Sequence, residues 1–265
     1  MGAPPDSEQQ APLAFVRDGP VAWVVFQRPQ ARNALTWEMY EGLWEACEQV
    51  DRDPELKALV LRGSGGHFAA GTDIHQFLEF SGAQDGIEYE RRLDRIVDRL
   101  ERVRKPTLAA IEGVAAGGGL ALALACDLRY CSPDARLGVP IARTLGNCLS
   151  AANYARLVDM VGPGRAKELL MRARLVGAEE AERWGLVNGV VPAAELYQRV
   201  REVAVELASH APITLRVTKE AIRRVQEWRR QIQADDLIAE AYGSEDFQEG
   251  VRAFVARRPP TFRGR

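Results

Sequence analysis

The sequence predicts an α/β fold, a core in which short strands alternate with helices, followed by a C-terminal region made of helices alone. Two observations carry this. Up to about Pro192, short runs rich in Val, Ile and Leu alternate with longer stretches whose apolar residues recur every three or four positions. Beyond Ala193 only the helical period continues. With 265 residues the chain can bury one large core. The expected division is a tail over 1–12, a core over 13–192 and a helical region over 193–265.

The opening MGAPPDSEQQAP is polar and proline-rich, with no basic or apolar stretch, and reads as a disordered tail. Residues 13–17 and 21–26 form a hairpin through Asp18-Gly19-Pro20. Over 36–51, Trp37, Tyr40, Leu43, Trp44, Cys47 and Val50 share one helical face, with Thr36 as N-cap and Pro54 as a stop. A buried strand follows at 58–62. The charged stretch 87–104 carries Leu93, Ile96, Val97, Leu100 and Val103 on one helical face and ends before Lys105-Pro106. Residues 107–111 return to strand. The Gly-led run 120–125 is too alanine-rich for a strand and reads as a buried helix, and strands at 128–131 and near Val190 bracket further helix.

Three helical segments are expected after Ala193, bearing Val200, Val203 and Leu207, then Leu215, Ala221, Ile222 and Val225, then Phe247, Val251 and Phe254. That much apolar surface must pack on the core or on another subunit.

Composition narrows the function. Thirty-five basic against 37 acidic residues give a formal charge of −2, which offers no broad footprint for nucleic acid or an anionic membrane. The stretch 114–126 is too short and glycine-interrupted to span a bilayer. Cys47, Cys126, Cys131 and Cys148, with His67, His75 and His210, match no metal-ligand spacing, so reduced thiols and no metal are expected. A cytoplasmic location follows.

Two glycine-containing loops, 65–74 (GGHFAAGTDI) and 113–119 (GVAAGGG), each run from a strand toward a helix. Small residues let a ligand approach the main chain, and unpaired N–H groups at a helix start favour negative charge. Two such donors on one oxygen would stabilise an enolate at a thioester carbonyl, each by on the order of 3 kcal/mol. Close helix packing is the alternative use of such glycines. Phosphate-loop and dinucleotide readings fail, because no G-x-x-x-x-G-K-[ST] or complete G-x-G-x-x-G is present.

The pair F-A-A-G-T-D-I and A-A-G-G-G-L-A-L-A-L-A-C-D resembles the crotonase superfamily, the enoyl-CoA hydratase/isomerase family. R-P-Q-A-R-N-A-L at 28–35, A-E-E-A-E-R-W-G-L-V-N at 178–188 and F-V-A-R-R at 254–258 lie in the family's order, so the resemblance runs from about Leu13 to Arg258. It implies a crotonase-like spiral of ββα units and an acyl-CoA enzyme, a lyase or isomerase of the fatty-acid-metabolism kind. Coenzyme A enters as part of the substrate and no separate cofactor is implied.

The resemblance puts the two oxyanion donors on the N–H groups of Thr72 and Gly118. It puts coenzyme A against Ala70, Asp73 and Ile74, with Arg28, Arg32 and Arg257 toward its phosphates. It also implies a homotrimer or a dimer of trimers assembled through the C-terminal helices.

Hydratases of the family use two glutamates as base and acid. Here Ala121 and Ile141 stand at those positions, and 113–126 and 136–158 contain no Asp, Glu or His. Without both groups, hydration by that route falls short by about 10⁴ to 10⁸ in rate. Decarboxylation of a malonyl-type thioester needs mainly enolate stabilisation, with Arg143 or Asn147 to orient the carboxylate. A catalytically degenerate acyl-CoA binder is the other alternative. His67, His75, Asn153, Tyr154, Asp127 and Glu112 are read as turn, capping, core or surface residues before catalytic ones.

Overall fold

In the computed structural model, which describes residues 11–230 and 233–265, strand and helix follow the expected alternation. Ten of the twelve tail residues therefore lie outside the described residues. In chain order the elements are β1 (Leu13–Asp18), β2 (Val21–Phe26), α1 (Trp37–Arg52), β3 (Ala58–Gly63), α2 (Ala83–Glu101), β4 (Thr107–Ile111), β5 (Val114–Ala116), α3 (Gly118–Ala125), β6 (Leu128–Cys131) and β7 (Arg136–Gly138). There follow α4 (Ile141–Thr144), α5 (Ala151–Met171), β8 (Leu175–Gly177), α6 (Ala178–Trp184), β9 (Gly189–Val190), α7 (Leu196–Ser209), α8 (Pro212–Arg230), α9 (Asp235–Tyr242) and α10 (Glu245–Val255).

A six-stranded sheet runs β1-β2-β3-β4-β6-β9, parallel except for the β1/β2 hairpin. Its central strands β2, β3 and β4 are mostly apolar because both faces are covered. Ala22, Val24, Phe26, Leu59, Leu61, Ala109 and Ile111 point into the main core shared with α1, α2 and α3. Their alternates Val21, Trp23, Val25, Ala58, Val60, Leu108 and Ala110 meet Leu196, Val200, Val203 and Ala204 of α7. The helix α1 starts where expected, with Met39 N donating to the Thr36 hydroxyl at 3.3 Å.

A second, three-stranded sheet, β5-β7-β8, is absent from the sequence reading. Its strands are only three residues each, too short to show a period. The C-terminal expectation also needs correction: four helices, not three, follow Ala193 among the described residues. The missed one, α9, has eight residues and begins with two aspartates.

Asp127 joins α8 to the core, accepting from Thr107 N at 2.7 Å and from Lys219 Nζ at 2.8 Å. The four cysteines are free thiols. No helix among the described residues is long and apolar enough to cross a membrane.

Asn33 closes the segment between β2 and α1. It is fully buried and left-handed, with φ 56°. Its Oδ1 accepts from Arg28 N at 2.8 Å, and its Nδ2 donates to Ser64 O at 2.9 Å and His67 O at 2.6 Å. Asn33→Ala leaves those buried groups unpaired and is expected to cost roughly 3 kcal/mol in urea unfolding. A loss below about 0.5 kcal/mol would show that the clamp is dispensable.

Candidate active site

The two glycine loops meet because backbone hydrogen bonds zip residues 68–73 between two neighbours. On one side Phe68 N donates to Glu112 O (2.8 Å), Ala69 N to Val114 O (3.0 Å) and Ala116 N to Ala69 O (3.0 Å). On the other, Ala70 N donates to Arg32 O (3.0 Å), Leu35 N to Gly71 O (2.8 Å) and Asp73 N to Leu35 O (2.9 Å). Thr72 N–H falls between used groups and has no partner among the described residues, and neither has Gly118 N–H, on the first residue of α3.

The two donors are neighbours: a Cβ placed on Gly118 would lie 3.7 Å from Thr72 N, and one on Gly71 would lie 4.0 Å from Gly118 N. Gly71 has φ 112°, a conformation that L side chains avoid. A Cβ on Gly119 would collide with Ala69 O, so this approach of α3 to the first loop requires glycine there.

Arg28 lies inside this framework. Its guanidinium donates to Ala34 O at 2.6 Å and pairs with Asp73 at 2.9 Å. Asp73 caps the 3₁₀ turn Ile74–Phe77, so the first loop leads into that turn and not directly into α2. Burial opposes ionisation of Asp73, but hydrogen bonds from His75 and Arg28 outweigh it and hold the carboxyl below its usual range. The His75 ring bonds Asp73 at 2.8 Å with its side chain 70% exposed, turned outward. His67 accepts from Val114 N through Nδ1 at 3.3 Å, a turn role.

Arg32 and Arg257 are exposed and have no carboxylate partner among the described residues. Ala121 is buried in α3, and Ile141 starts α4. Asn153 donates to Asp94 at 3.2 Å, Tyr154 accepts from Leu149 N at 3.4 Å, and Glu112 accepts from the Tyr197 hydroxyl.

Sequence reasoning missed the polar groups around the donors. The Thr72 hydroxyl lies 2.9 Å from the Tyr40 hydroxyl and 2.7 Å from the Tyr89 hydroxyl. A Cβ on Gly118 would collide with the Tyr40 oxygen, so that phenol sits against the second donor. Rings of Trp37, Phe77, Phe80 and Tyr242 pack around Tyr89 at centroid separations of 4.9 to 6.1 Å.

Behind them Glu90 is buried, accepting from Tyr242 Oη at 2.6 Å and Ser150 N at 3.0 Å. Glu90 lies three and seven residues before Leu93 and Val97, so a carboxylate on the apolar face of α2 was the signal available. Elsewhere, a cavity of about 320 Å³ lined by Cys126, Met160, Leu207, Leu215 and Ile222 separates α3 and α5 from α8. It includes neither Thr72 nor Gly118.

Burial pushes the Glu90 carboxyl up to about 8, and the nearby Asp94 charge acts in the same direction. A raised native value means stability that is full below the ordinary glutamate range and is lost as pH rises through about 8. Glu90→Gln keeps the acceptor for Tyr242 and removes that charge. It is expected to flatten the fall in unfolding free energy between pH 5 and 8.5 by roughly 3 kcal/mol. An unchanged slope would rule out Glu90 as its source.

The chain is similar to known proteins over nearly its whole length. The family model described as enoyl-CoA hydratase/isomerase matches residues 17–265. A putative enoyl-CoA hydratase of Thermus thermophilus is 37% identical over 259 residues, covering 94% of this chain and all of the relative. The short-chain-enoyl-CoA hydratase of Clostridium acetobutylicum is 34% identical over 250 residues, covering 91% and 94%.

Among solved structures, an enoyl-CoA hydratase from Mycobacterium avium subsp. paratuberculosis K-10 superposes with a TM-score of 0.81 at 29% identity, covering 96% of this chain and 99% of that one. A methylmalonyl-CoA decarboxylase in complex with 2-nitronate-propionyl-CoA does so at 0.87 and 28%, covering 96% and 98%. The chain belongs to the enoyl-CoA hydratase/isomerase family of enzymes, within the crotonase superfamily.

Proposed function

We propose that Thr72 N–H and Gly118 N–H form an oxyanion hole for the thioester carbonyl of an acyl-CoA, and that the protein catalyses an enolate-forming step other than hydration. One observation carries this reading: two adjacent orphan N–H groups occur where Ala121 and Ile141 replace the acid and base that hydration uses. Backbone donors need no side chain and act on whatever oxygen develops charge. Coenzyme A would lie along Ala70 and Ile74. Arg32 and Arg257, exposed and without a carboxylate partner among the described residues, are available for its phosphates, while Arg28 and Asp73 are occupied in holding the loop.

Among enolate-forming steps, decarboxylation of a malonyl-type thioester asks least of the residues present. The C–C bond to the carboxylate breaks, its electron pair passes to the enolate held by the two N–H groups, and carbon dioxide leaves. A methylmalonyl-CoA decarboxylase is among the solved structures that share this fold, alongside enoyl-CoA hydratases. Of the two residues considered for orienting the carboxylate, Asn147 spends one amide N–H on Tyr242 at 3.0 Å and keeps the other, and Arg143 is exposed.

Turnover of methylmalonyl-CoA, malonyl-CoA and crotonyl-CoA tests this directly. Carbon dioxide release is expected, with crotonyl-CoA hydration slower by at least about 10⁴ than a typical two-glutamate hydratase. Hydration at an ordinary enzymatic rate would contradict the proposal, and tight binding with no product from any thioester would mark a degenerate binder.

The exposed α8 supports assembly through the C-terminal helices. Ile213 and Val225 are 70% and 74% exposed, and Val217 and Ile222 are also bare. We propose that further copies of the chain cover them. Light scattering should give a trimer or a hexamer, and a monodisperse monomer at micromolar concentration would refute this.

A further inference from the structure

We propose that Arg129 is a positioning residue for the oxyanion hole: its buried charge stands at the far end of the helix that carries Gly118 N–H and favours negative charge at that N–H. The inference rests on the oxyanion-hole reading and deepens it.

Three arginines are buried among the described residues, Arg129, Arg156 and Arg223. Two of them have carboxylate partners, Arg156 with Glu101 at 3.1 Å and Arg223 with Glu220 at 2.9 Å. Arg129, 3% exposed, is in no ion pair among the described residues. Its guanidinium donates to main-chain carbonyls instead, through Nε to Leu186 O at 2.8 Å and through Nη1 to Cys126 O at 2.6 Å and Ala123 O at 3.3 Å. Asp127, the carboxylate whose charge reaches it, is tied to Lys219 at 2.8 Å. Burial disfavours the charged form, but a guanidinium keeps its proton at neutral pH. A whole positive charge therefore sits in the core without an anion beside it, an arrangement that is ordinarily costly.

The carbonyls it holds are those of one helix end. Ala123 lies in the last turn of α3 and Cys126 caps it, so both belong to the negative pole of a helix whose positive pole is Gly118. Residues Gly119–Ala125 are all buried and apolar, which leaves little water to screen either pole. Eight residues make α3 about 12 Å long. At an effective dielectric constant of about 20, a unit charge at that distance changes the affinity for an anion roughly tenfold. Without Arg129 the far end of α3 would repel an enolate; with it, both ends attract one.

The test compares two ligands of the full-length protein by calorimetry: propionyl-CoA, which has a neutral acyl group, and the nitronate of 2-nitropropionyl-CoA, which carries an enolate-like negative charge. The ratio of their dissociation constants cancels the contribution of coenzyme A, and a general loosening of the fold weakens both alike. The wild type is expected to prefer the nitronate. Arg129→Gln should cut that preference roughly tenfold, and Arg129→Lys should keep most of it. Met160 Sδ lies 3.6 Å from Arg129 Nη2, so Met160→Glu brings a carboxylate to the guanidinium without removing its carbonyl bonds. That variant should cut the preference by at least about threefold, while Met160→Gln keeps the wild-type value.

An unchanged preference in Met160→Glu overturns the proposal, as does an equal loss in Met160→Glu and Met160→Gln, or a loss in Arg129→Lys as large as in Arg129→Gln. Should Arg129→Gln fail to fold, the two Met160 variants decide alone. A wild type that binds neither ligand, or binds both equally, overturns the oxyanion hole and this inference together. A wild type that prefers the nitronate, with variants that keep the preference, overturns only the inference.

Discussion

Residues 68 and 69 pair with residues 112–116 through three backbone hydrogen bonds of 2.8 to 3.0 Å. This short zipper joins the two glycine loops, and the residues it pairs lie more than 40 positions apart in the sequence. Because the bonds are main chain to main chain, the spacing of Thr72 N and Gly118 N depends on backbone geometry and barely on side-chain identity. Glycine at 71 and 119 is required for the same reason, one for its positive φ and one for the close approach of Ala69 O. Arg28, Asn33 and Asp73 then fix the outer side of the loop, so these polar residues serve geometry before they serve any ligand.

Such a framework is indifferent to the reaction that uses it. A pair of N–H groups at a helix start stabilises any oxyanion that fits, whereas proton transfer needs a titratable side chain at one particular place. Two adjacent N–H groups have no partner among the described residues, while residues 113–126 and 136–158 contain no Asp, Glu or His. What surrounds the donors instead is aromatic and hydroxylic: Tyr40, Thr72 and Tyr89, backed by Trp37, Phe77 and Tyr242. A low-dielectric wall of this kind strengthens fixed dipoles and penalises charge, as the raised Glu90 carboxyl behind it illustrates.

Features set by local pattern were legible in the sequence. The cap at Thr36, the doubly buried strand Val21–Phe26 and the Gly-led helix Gly118–Ala125 each announce themselves within a few residues. The expected donors are likewise backbone positions inside contiguous motifs. What escaped was short or distant. Three-residue strands carry no period, and α9 is too brief to show one. Tyr40 read as an apolar-face residue because its hydroxyl partner Thr72 lies 32 positions away. Glu90 broke the apolar face of α2 visibly, but its partner Tyr242 is 152 residues downstream.

An oxyanion hole is defined by where the thioester oxygen sits. A crystal structure with a non-reactive acyl-CoA analogue measures that position. The expected result is an oxygen within about 2.7 to 3.1 Å of both Thr72 N and Gly118 N. An oxygen beyond hydrogen-bond distance of either donor, or an acyl group lodged in the cavity beside α8, would contradict it.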